Sequence, residues 1–188
     1  DYFKNKSLSE MPAYGPLPVS VPGCVDGWFE MHDKFGSIAM HEILSPAIEY
    51  ADNGFPVTEL VSYYMQKASL NFDKYPNFKE TYYINGSTPK KGQIFQNKDL
   101  ANTLRIIAKK GRKGFYEGEI AKVMSDFIIE QGGFLSYHDL KNHKSEWIHP
   151  VSTNYRGFDV WELPPNGQGI AALQILNLLE AYDIKSMG

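Results

Sequence analysis

The chain has 188 residues, 43% of them hydrophobic and 22% charged, with a formal net charge of -3. This composition is ordinary for a folded globular protein and argues against disorder, collagen and coiled coil. Its apolar stretches are too short to cross a bilayer, and the slightly acidic balance gives no general attraction to nucleic acid or anionic lipid. We therefore predict no membrane span and no nucleic-acid partner. The single cysteine cannot form an internal disulfide, so the redox compartment stays open.

Proline is concentrated at the start of the chain, with Pro12, Pro16, Pro18 and Pro22. Proline fixes its own backbone and restricts the residue before it, so residues 1–22 are predicted to form an extended, irregular lead-in. The sequence begins with an aspartate, shows no signal-peptide pattern and stops directly after a helical pattern. These features predict a piece of a longer protein.

Apolar residues recur at three- and four-residue spacing through most of residues 23–146, which is typical of helices with one buried face. The predicted helices cover 25–35, 43–53, 60–70, 97–110 and 114–131. Asn97 is expected to cap the fourth of these helices. Ser136 and Asp139 are close to a capping box at the start of a further short turn.

Two stretches show turn and strand signals. Asn85-Gly86 predicts a tight turn within a small ribbon or irregular loop over 75–96. Further on, apolar and polar residues alternate around Arg156-Gly157, which predicts a β-hairpin arm or two short strands. A final helix over 168–183 is apolar on most sides and is predicted to be buried. The expected fold class is mainly α with a few short strands.

A glycine motif stands between the last strand and the last helix. Gly167, Gly169 and Ala172 spell G-x-G-x-x-A, which matches the dinucleotide-binding fingerprint. Against that match, two prolines intervene, the strand alternates instead of being uniformly apolar, and no second predicted strand follows. The interpretation we favour is a glycine-rich helix start that lets another backbone come close.

Two other features each have a chemical and a structural interpretation. The basic cluster of Lys109, Lys110, Arg112 and Lys113 could hold a phosphate, but it lies at a predicted helix end, where exposed carbonyls favour cations. We favour a solvated helix end. Cys24 stands at a helix start, where the helix dipole can activate a thiol, yet a small buried residue is the commoner case.

The histidines form no recognisable metal site. His41-Glu42 begins a zinc-protease motif, but Ser45 stands where the motif requires its second histidine. We predict surface or capping roles for the five histidines, which are His32, His41, His138, His143 and His149. The residue chemistry thus predicts no catalytic residue, no metal ligand and no cofactor in this chain.

Short motifs nevertheless follow one another in a characteristic order. They are Val21-Pro22-Gly23, Lys34-Phe35-Gly36, Pro46-Ala47-Ile48, Gly54-Phe55-Pro56-Val57, Asp99-Leu100-Ala101, Phe115-Tyr116-x-Gly118, Tyr155-Arg156-Gly157 and Leu176-Asn177-x-Leu179-Glu180. No single motif is diagnostic. The ordered set, from about residue 19 to the end of the chain, resembles the γ-glutamyltranspeptidase family.

The resemblance implies a precursor that cuts itself into a large and a small subunit, and the αββα sandwich of N-terminal-nucleophile hydrolases. The threonine that opens the small subunit would be the nucleophile, with its own α-amine as base. Such an enzyme takes the γ-glutamyl group from glutathione or a related amide and passes it to water or to an amino acid. Oxyanion-hole donors would stabilise the tetrahedral intermediate.

Two family segments are missing from this chain. These are the T-x-H segment that begins with the nucleophile and the R-E-x-x-P segment whose arginine grips the substrate. The chain thus resembles the middle of the large subunit. No catalytic residue can be transferred to it, and its substrate-binding residues stay unknown. Residues 23–146 would be its helical part, and 147–188 the strand pair and buried helix of the sandwich. Its partner would be the remainder of the same precursor, which includes the small subunit.

The substrate stays open between two branches. Residues 164–169 read Pro-Pro-Asn-Gly-Gln-Gly, which differs from the Pro-Pro-x-Ser-x-Gly-Gly form of glutathione-processing members and looks more like the branch with cephalosporin (glutaryl) acylases. A non-catalytic helical interaction domain is a further alternative. We expect Pro164–Gly169 to be the closest approach to the active site.

Three expectations concern the chain itself. Alone, it should be inactive. It should self-associate through the apolar helix 168–183, because that helix lacks its sheet partners. The family resemblance favours a periplasmic or secreted location, although a cytoplasmic one stays open.

Overall fold

The computed structural model describes residues 2–5 and 8–188. Its helices are α1 (Tyr2–Asn5), α2 (Cys24–Phe35), α3 (Met40–Asn53), α4 (Glu59–Phe72), α5 (Phe78–Tyr82), α6 (Lys98–Tyr116), α7 (Glu119–Glu130), α8 (Tyr137–Asn142) and α9 (Gly169–Glu180). Its strands are β1 (Phe55–Pro56), β2 (Ile94–Phe95), β3 (Val151–Tyr155) and β4 (Phe158–Glu162), and a 3-10 turn covers Ile184–Met187. The predicted class, mainly α with a few short strands, is confirmed. Within the described residues, no helix is both long and apolar enough to cross a membrane.

The chain divides into two compact units. The first, Asp1–Ser145, is called the helical unit, and the second, Glu146–Gly188, is called the hairpin unit. The core of the helical unit forms around α6, which packs against α2, α3, α7 and α8. Its buried apolar residues are Val25, Leu44, Leu104, Ile107, Phe115, Tyr116, Ala121, Leu135 and Leu140. Because a helix repeats every three to four residues, this spacing places the apolar positions of α6 on one buried face.

Two helix starts show the capping that the sequence predicts. The side chain of Asn97 accepts a hydrogen bond from the backbone N–H of Leu100 at 2.9 Å. Ser136 and Asp139 form a capping box, in which the Ser136 hydroxyl accepts from the Asp139 N–H and the Asp139 carboxylate accepts from the Ser136 N–H. Each of these hydrogen bonds joins residues only three positions apart, so both caps can be predicted from local sequence.

The predicted boundaries of the middle helices are right at one place and wrong at another. The predicted helix end at residue 110 agrees with the break at Gly111, where φ 65° and ψ -160° are not helical, and a further helical stretch then leads to Tyr116. The next helix begins at Glu119, after Gly118, and not at residue 114. In the predicted irregular lead-in, residues 2–5 form the short helix α1.

The stretch predicted as a ribbon or loop contains more structure than expected. It holds the short helix α5, and its strand β2 pairs antiparallel with β1 through Phe55 opposite Phe95. The predicted turn is present, since Ile84 and Ser87 exchange backbone hydrogen bonds of 2.8 and 3.2 Å around Asn85-Gly86. Asn85 and Gly86 both have positive φ, as a two-residue hairpin turn requires.

The hairpin unit contains β3, β4, α9 and the 3-10 turn Ile184–Met187. The two strands pair antiparallel with Thr153 opposite Val160, and the predicted turn Arg156-Gly157 joins them. α9 packs against both strands. Polar contacts support this packing, because the Thr153 hydroxyl donates to the Asn177 side chain and the backbone N–H of Arg156 donates to the Glu180 carboxylate at 3.1 Å.

The predicted burial of the last helix is wrong for this chain. Leu173 faces the hairpin and is buried, whereas Ile175 and Leu178 are 55% and 70% exposed. The reason is geometric: a two-stranded hairpin covers one face of a helix, and α9 is apolar on more than one. The apolar pattern of α9 therefore predicts burial on more than one face, whereas the hairpin buries only the face that carries Leu173.

Candidate functional site

Pro164–Gly169, which joins β4 to α9, is the candidate segment that the sequence singles out. A β-carbon added at Gly169 would lie 2.7 Å from the carbonyl oxygen of Leu163 and 2.8 Å from the β-carbon of Glu162. Around Gly167, by contrast, the described chain leaves open space within 4 Å of such an atom. Gly169 is therefore required by close packing against the end of β4, as the interpretation of a glycine-rich helix start predicts.

The same geometry gives no support to a nucleotide site. The dinucleotide fingerprint belongs to a parallel β-α-β unit, with the phosphates at the start of the helix. Here the preceding strand, β4, is half of an antiparallel hairpin. Among the described residues, no parallel strand pair is formed. The glycine spacing at Gly167 and Gly169 thus serves packing within the hairpin unit.

A buried carboxylate lies inside the helical unit, at the start of α2. Asp26 is 2% exposed. Its carboxylate accepts hydrogen bonds from the Arg112 guanidinium and from the backbone N–H of Ser145. Its own backbone N–H donates to the Tyr116 hydroxyl at 3.1 Å, and that hydroxyl donates to the carbonyl of Pro22 at 2.7 Å. We call Asp26, Arg112, Tyr116, His143 and Ser145 the polar cluster.

The cation and the aromatic rings of the polar cluster form a stack. The Arg112 guanidinium also donates to the carbonyl of His143 and lies 4.7 Å from the centre of the Tyr116 ring. The imidazole of His143 stacks on the same ring at 5.5 Å. Its Nε2 atom is buried 4.0 Å from the Asp26 carboxylate and has no hydrogen-bond partner among the described residues.

Burial and hydrogen bonding shift the pKa values of two residues of the polar cluster, Asp26 and Tyr116. Burial opposes the charged form of Asp26, but the hydrogen bonds from Arg112 and Ser145 outweigh it and hold the pKa of Asp26 below its ordinary value. Burial raises the pKa of the Tyr116 hydroxyl, so this group stays protonated and keeps donating to Pro22. Each oxygen of the Asp26 carboxylate accepts a hydrogen bond from inside the helical unit, which is the arrangement of a structural anion.

The basic residues and the cysteine considered in the sequence analysis do not come together in one site. Arg112 leaves the predicted solvated basic cluster and joins the polar cluster, while Lys109, Lys110 and Lys113 stay exposed. Cys24 is exposed, so its predicted burial is wrong; the next two positions, Val25 and Asp26, take the inward face of α2.

The histidines serve local contacts. His32 Nε2 lies 2.7 Å from the carbonyl oxygen of Ile38, and His138 Nε2 lies 2.7 Å from the Asn142 side chain. Within the part of the chain that the structure describes, no group of three or more His, Cys, Asp or Glu side chains could hold a metal ion.

The polar cluster itself was missed by sequence reasoning. A usable signal existed, because Asp26 interrupts the apolar face of a predicted helix next to Val25, and a buried carboxylate demands a cation. The identity of that cation could not be read, since Arg112 lies 86 residues away in the chain.

Solved structures match the described fold. Cephalosporin acylase from Bacillus halodurans aligns with a TM-score of 0.90 and 36% identity, over 97% of this chain and 35% of that chain. The γ-glutamyltranspeptidase of Helicobacter pylori aligns with a TM-score of 0.87 and 31% identity, over 96% of this chain and 52% of that chain. The fold is therefore a partial piece of an N-terminal-nucleophile hydrolase sandwich.

Sequence comparison narrows this class to one family. The γ-glutamyltranspeptidase family model matches residues 1–188, and the chain belongs to this family. The Glutathione hydrolase-like YwrD proenzyme of Bacillus subtilis (strain 168) is 37% identical over 184 residues, which are 97% of this chain and 35% of that protein. The chain thus spans about a third of the length of this curated relative.

The packing of Gly169 can be tested with a matched pair of substitutions. Gly169→Ala should lower the free energy of unfolding by about 1–3 kcal/mol, because the added methyl group meets the Leu163 carbonyl. Gly167→Ala, two residues away, should change it by about 0.5 kcal/mol or less. Urea unfolding monitored by circular dichroism measures both, and equal effects would contradict the assigned contact.

The pH dependence of stability tests the polar cluster. Because the pKa of Asp26 is lowered from 3.8 on folding, its carboxylate stabilises the fold above that pH, and this stabilisation is lost as the pH falls through the lowered value. Asp26→Asn should cost about 3–5 kcal/mol at neutral pH, and the difference from wild type should shrink below about pH 4.

The control for this experiment is Asp52→Asn. Asp52 pairs with Arg105 at the surface, so its loss should cost about 1 kcal/mol or less. The measurement is urea unfolding at several pH values, repeated in a His143→Gln background because His143 also faces Asp26. A difference between wild type and Asp26→Asn that does not change with pH would show that the charge of Asp26 does not stabilise the fold.

Proposed function

We propose that the whole protein is a γ-glutamyltranspeptidase-like enzyme that transfers or hydrolyses the γ-glutamyl groups of glutathione-type amides. The observation that supports this most directly is the family match over residues 1–188, together with a relative whose name marks it as a glutathione hydrolase-like proenzyme. The ordered motifs run through both units of the chain. A helical interaction domain with no catalytic partner would not need that order.

In this proposal the chemistry is acyl transfer. The hydroxyl of a threonine at the start of the small subunit attacks the γ-carbonyl carbon, and its own α-amine takes the proton. The C–N bond of the substrate breaks, the leaving amine takes a proton, and a γ-glutamyl ester of the threonine remains. Water or the amine of an amino acid then attacks this ester and frees the threonine. The chain described here supplies no catalytic group to these steps.

The contribution of this chain is therefore scaffolding. Its helical unit provides the helices around α6, and its hairpin unit provides a strand pair with α9. We place Pro164–Gly169 as the part of the chain nearest to the substrate. The partners are the small subunit and the remaining polypeptide of the same precursor.

A second candidate activity has its own support. The acylase from Bacillus halodurans aligns with a TM-score of 0.90, and residues 164–169 depart from the Pro-Pro-x-Ser-x-Gly-Gly form. An acylase would use the same nucleophile on the side-chain amide of a β-lactam. The two substrates differ at one place, because a γ-glutamyl group carries an α-ammonium that a glutaryl group lacks.

One assay separates the two activities. The whole purified protein should release nitroaniline from γ-glutamyl-p-nitroanilide at least about tenfold faster than from glutaryl-p-nitroanilide, since a site built for the ammonium rejects a substrate without it. The 188-residue chain alone should release none, and replacing the threonine that opens the small subunit by alanine should abolish release. Preference for the glutaryl anilide would establish the acylase alternative, and release by the chain alone would exclude the proposed nucleophile.

We also propose that the chain alone self-associates through its hairpin unit. Phe158, Trp161, Leu163 and Leu178 are each at least 60% exposed. Large apolar side chains left exposed in one small unit favour association, because contact between copies removes apolar area from water.

Leu178→Glu should therefore reduce self-association, because it places a charge on the exposed side of α9. Leu70→Glu is the matched control, since Leu70 is 85% exposed but belongs to the helical unit. Sedimentation velocity of the 188-residue chain at increasing concentration measures the effect. A wild-type chain that stays monomeric, or equal effects of the two substitutions, would contradict the proposal.

A further inference from the structure

The last residues of the helical unit are held by the buried ion pair and not by regular secondary structure. α8 ends at Asn142, and residues 143–145 belong to no helix or strand. The carbonyl of His143 accepts from Arg112, and the N–H of Ser145 donates to Asp26. The backbone is thus fastened on both sides of Lys144, whose own side chain is exposed.

The two contacts depend on each other. Arg112 and Asp26 also form an ion pair with one another. Each side chain therefore orients the other for its hydrogen bond to the backbone of residues 143–145. Asp26 belongs to α2 and Arg112 to α6, so the segment is attached to two helices at once. A buried backbone N–H or carbonyl that loses its partner costs free energy, which favours opening of the whole segment over loss of one bond.

Neighbouring groups support the closed segment without replacing the ion pair. The ring of His143 stacks on Tyr116 and packs against Gly23, where a β-carbon would lie 2.9 Å from Nε2. Tyr116 reaches Asp26 through the backbone N–H, so this bond does not need the carboxylate. Glu117, 4.0 Å from the Arg112 guanidinium, is the other anion near the cation.

We propose that the Asp26–Arg112 ion pair is a latch that closes His143–Ser145 onto α2 and α6, and that it opens locally while the core around α6 stays folded. Opening frees the last residues of the helical unit and exposes the peptide bond between Lys144 and Ser145. The latch is a conformational device of the fold and takes no part in the acyl transfer.

Cleavage by trypsin after Lys144 reports the open state, because a protease acts on a backbone that has left its hydrogen bonds. The test variant is Asp26→Ala/Arg112→Met in the purified protein, which removes both buried charges together and so preserves the core, while Glu117, which loses its neighbouring cation, is partly exposed to water. Cleavage after Lys144 should become about 10- to 100-fold faster, the effect of losing hydrogen bonds to charged groups. The amide of Ser145 should lose its protection from hydrogen exchange, while those of Ile107 and Leu140 keep theirs.

The matched control is Asp52→Ala/Arg105→Met. It removes the same two residue types, with Arg105 seven positions before Arg112 on α6 and Asp52 on α3. Both partners are partly exposed, so this variant should leave cleavage after Lys144 unchanged. Arg112→Lys is a second variant that keeps the charge but cannot bridge the Asp26 carboxylate and the His143 carbonyl in a fixed fork. It should also accelerate cleavage after Lys144, by a smaller factor.

Two results would overturn the proposal. One is cleavage after Lys144 at the wild-type rate in both latch variants. The other is an equal loss of amide protection at Ser145, Ile107 and Leu140 in both variants, because the ion pair would then stabilise the unit as a whole and not a separate segment.

Discussion

A carboxylate out of water must be matched by a cation and by hydrogen bonds, and this constraint organises the helical unit around Asp26. The match draws on distant parts of the chain, since Arg112 comes from α6 and the Ser145 N–H from the end of the unit. Tyr116 adds a bond to the backbone of the same residue. Apolar packing around Leu104 and Ile107 supplies the core and has no preferred direction, whereas the hydrogen bonds of the carboxylate require particular distances and angles. The polar cluster thus fixes how α2, α6 and residues 143–145 meet.

The range of each interaction along the chain decides what could be predicted. Asn97, the Ser136–Asp139 pair and the Arg156-Gly157 turn act over two to three residues, so their residue types alone indicate the structure. The ion pair between Asp26 and Arg112 spans 86 residues, and no local pattern joins them. From local sequence alone, Arg112 is therefore predicted to belong with its basic neighbours to a solvated helix end. The break in α6 at Gly111, immediately before Arg112, agrees with the predicted end of a helix at residue 110.

The two faces of α9 show a second limit of sequence patterns. Its apolar residues predict burial, but they do not say which partner provides it. In this chain the hairpin covers the side that holds Leu173 and leaves Leu178 exposed. The chain spans about a third of a curated relative, so in the proposed enzyme the remaining polypeptide would cover that side. In that enzyme the apolar pattern of α9 would reflect contacts with the rest of the polypeptide, and the net charge of -3 and the single cysteine would describe only these 188 residues.

The glycines of Pro164–Gly169 say less about the substrate than their motif suggests. The close contact with the Leu163 carbonyl already explains why position 169 requires glycine. The glycine therefore does not by itself indicate a ligand nearby. What distinguishes the two candidate substrates is an α-ammonium, and recognising a cation requires a carboxylate or several oriented acceptors. The departures from the Pro-Pro-x-Ser-x-Gly-Gly form are Gly167 in place of the serine and Ile170 in place of the last glycine, and both residues are uncharged. In the proposed enzyme, a carboxylate that recognises the α-ammonium would therefore have to come from outside residues 164–169, because these residues could contribute only uncharged acceptors such as amide and carbonyl oxygens.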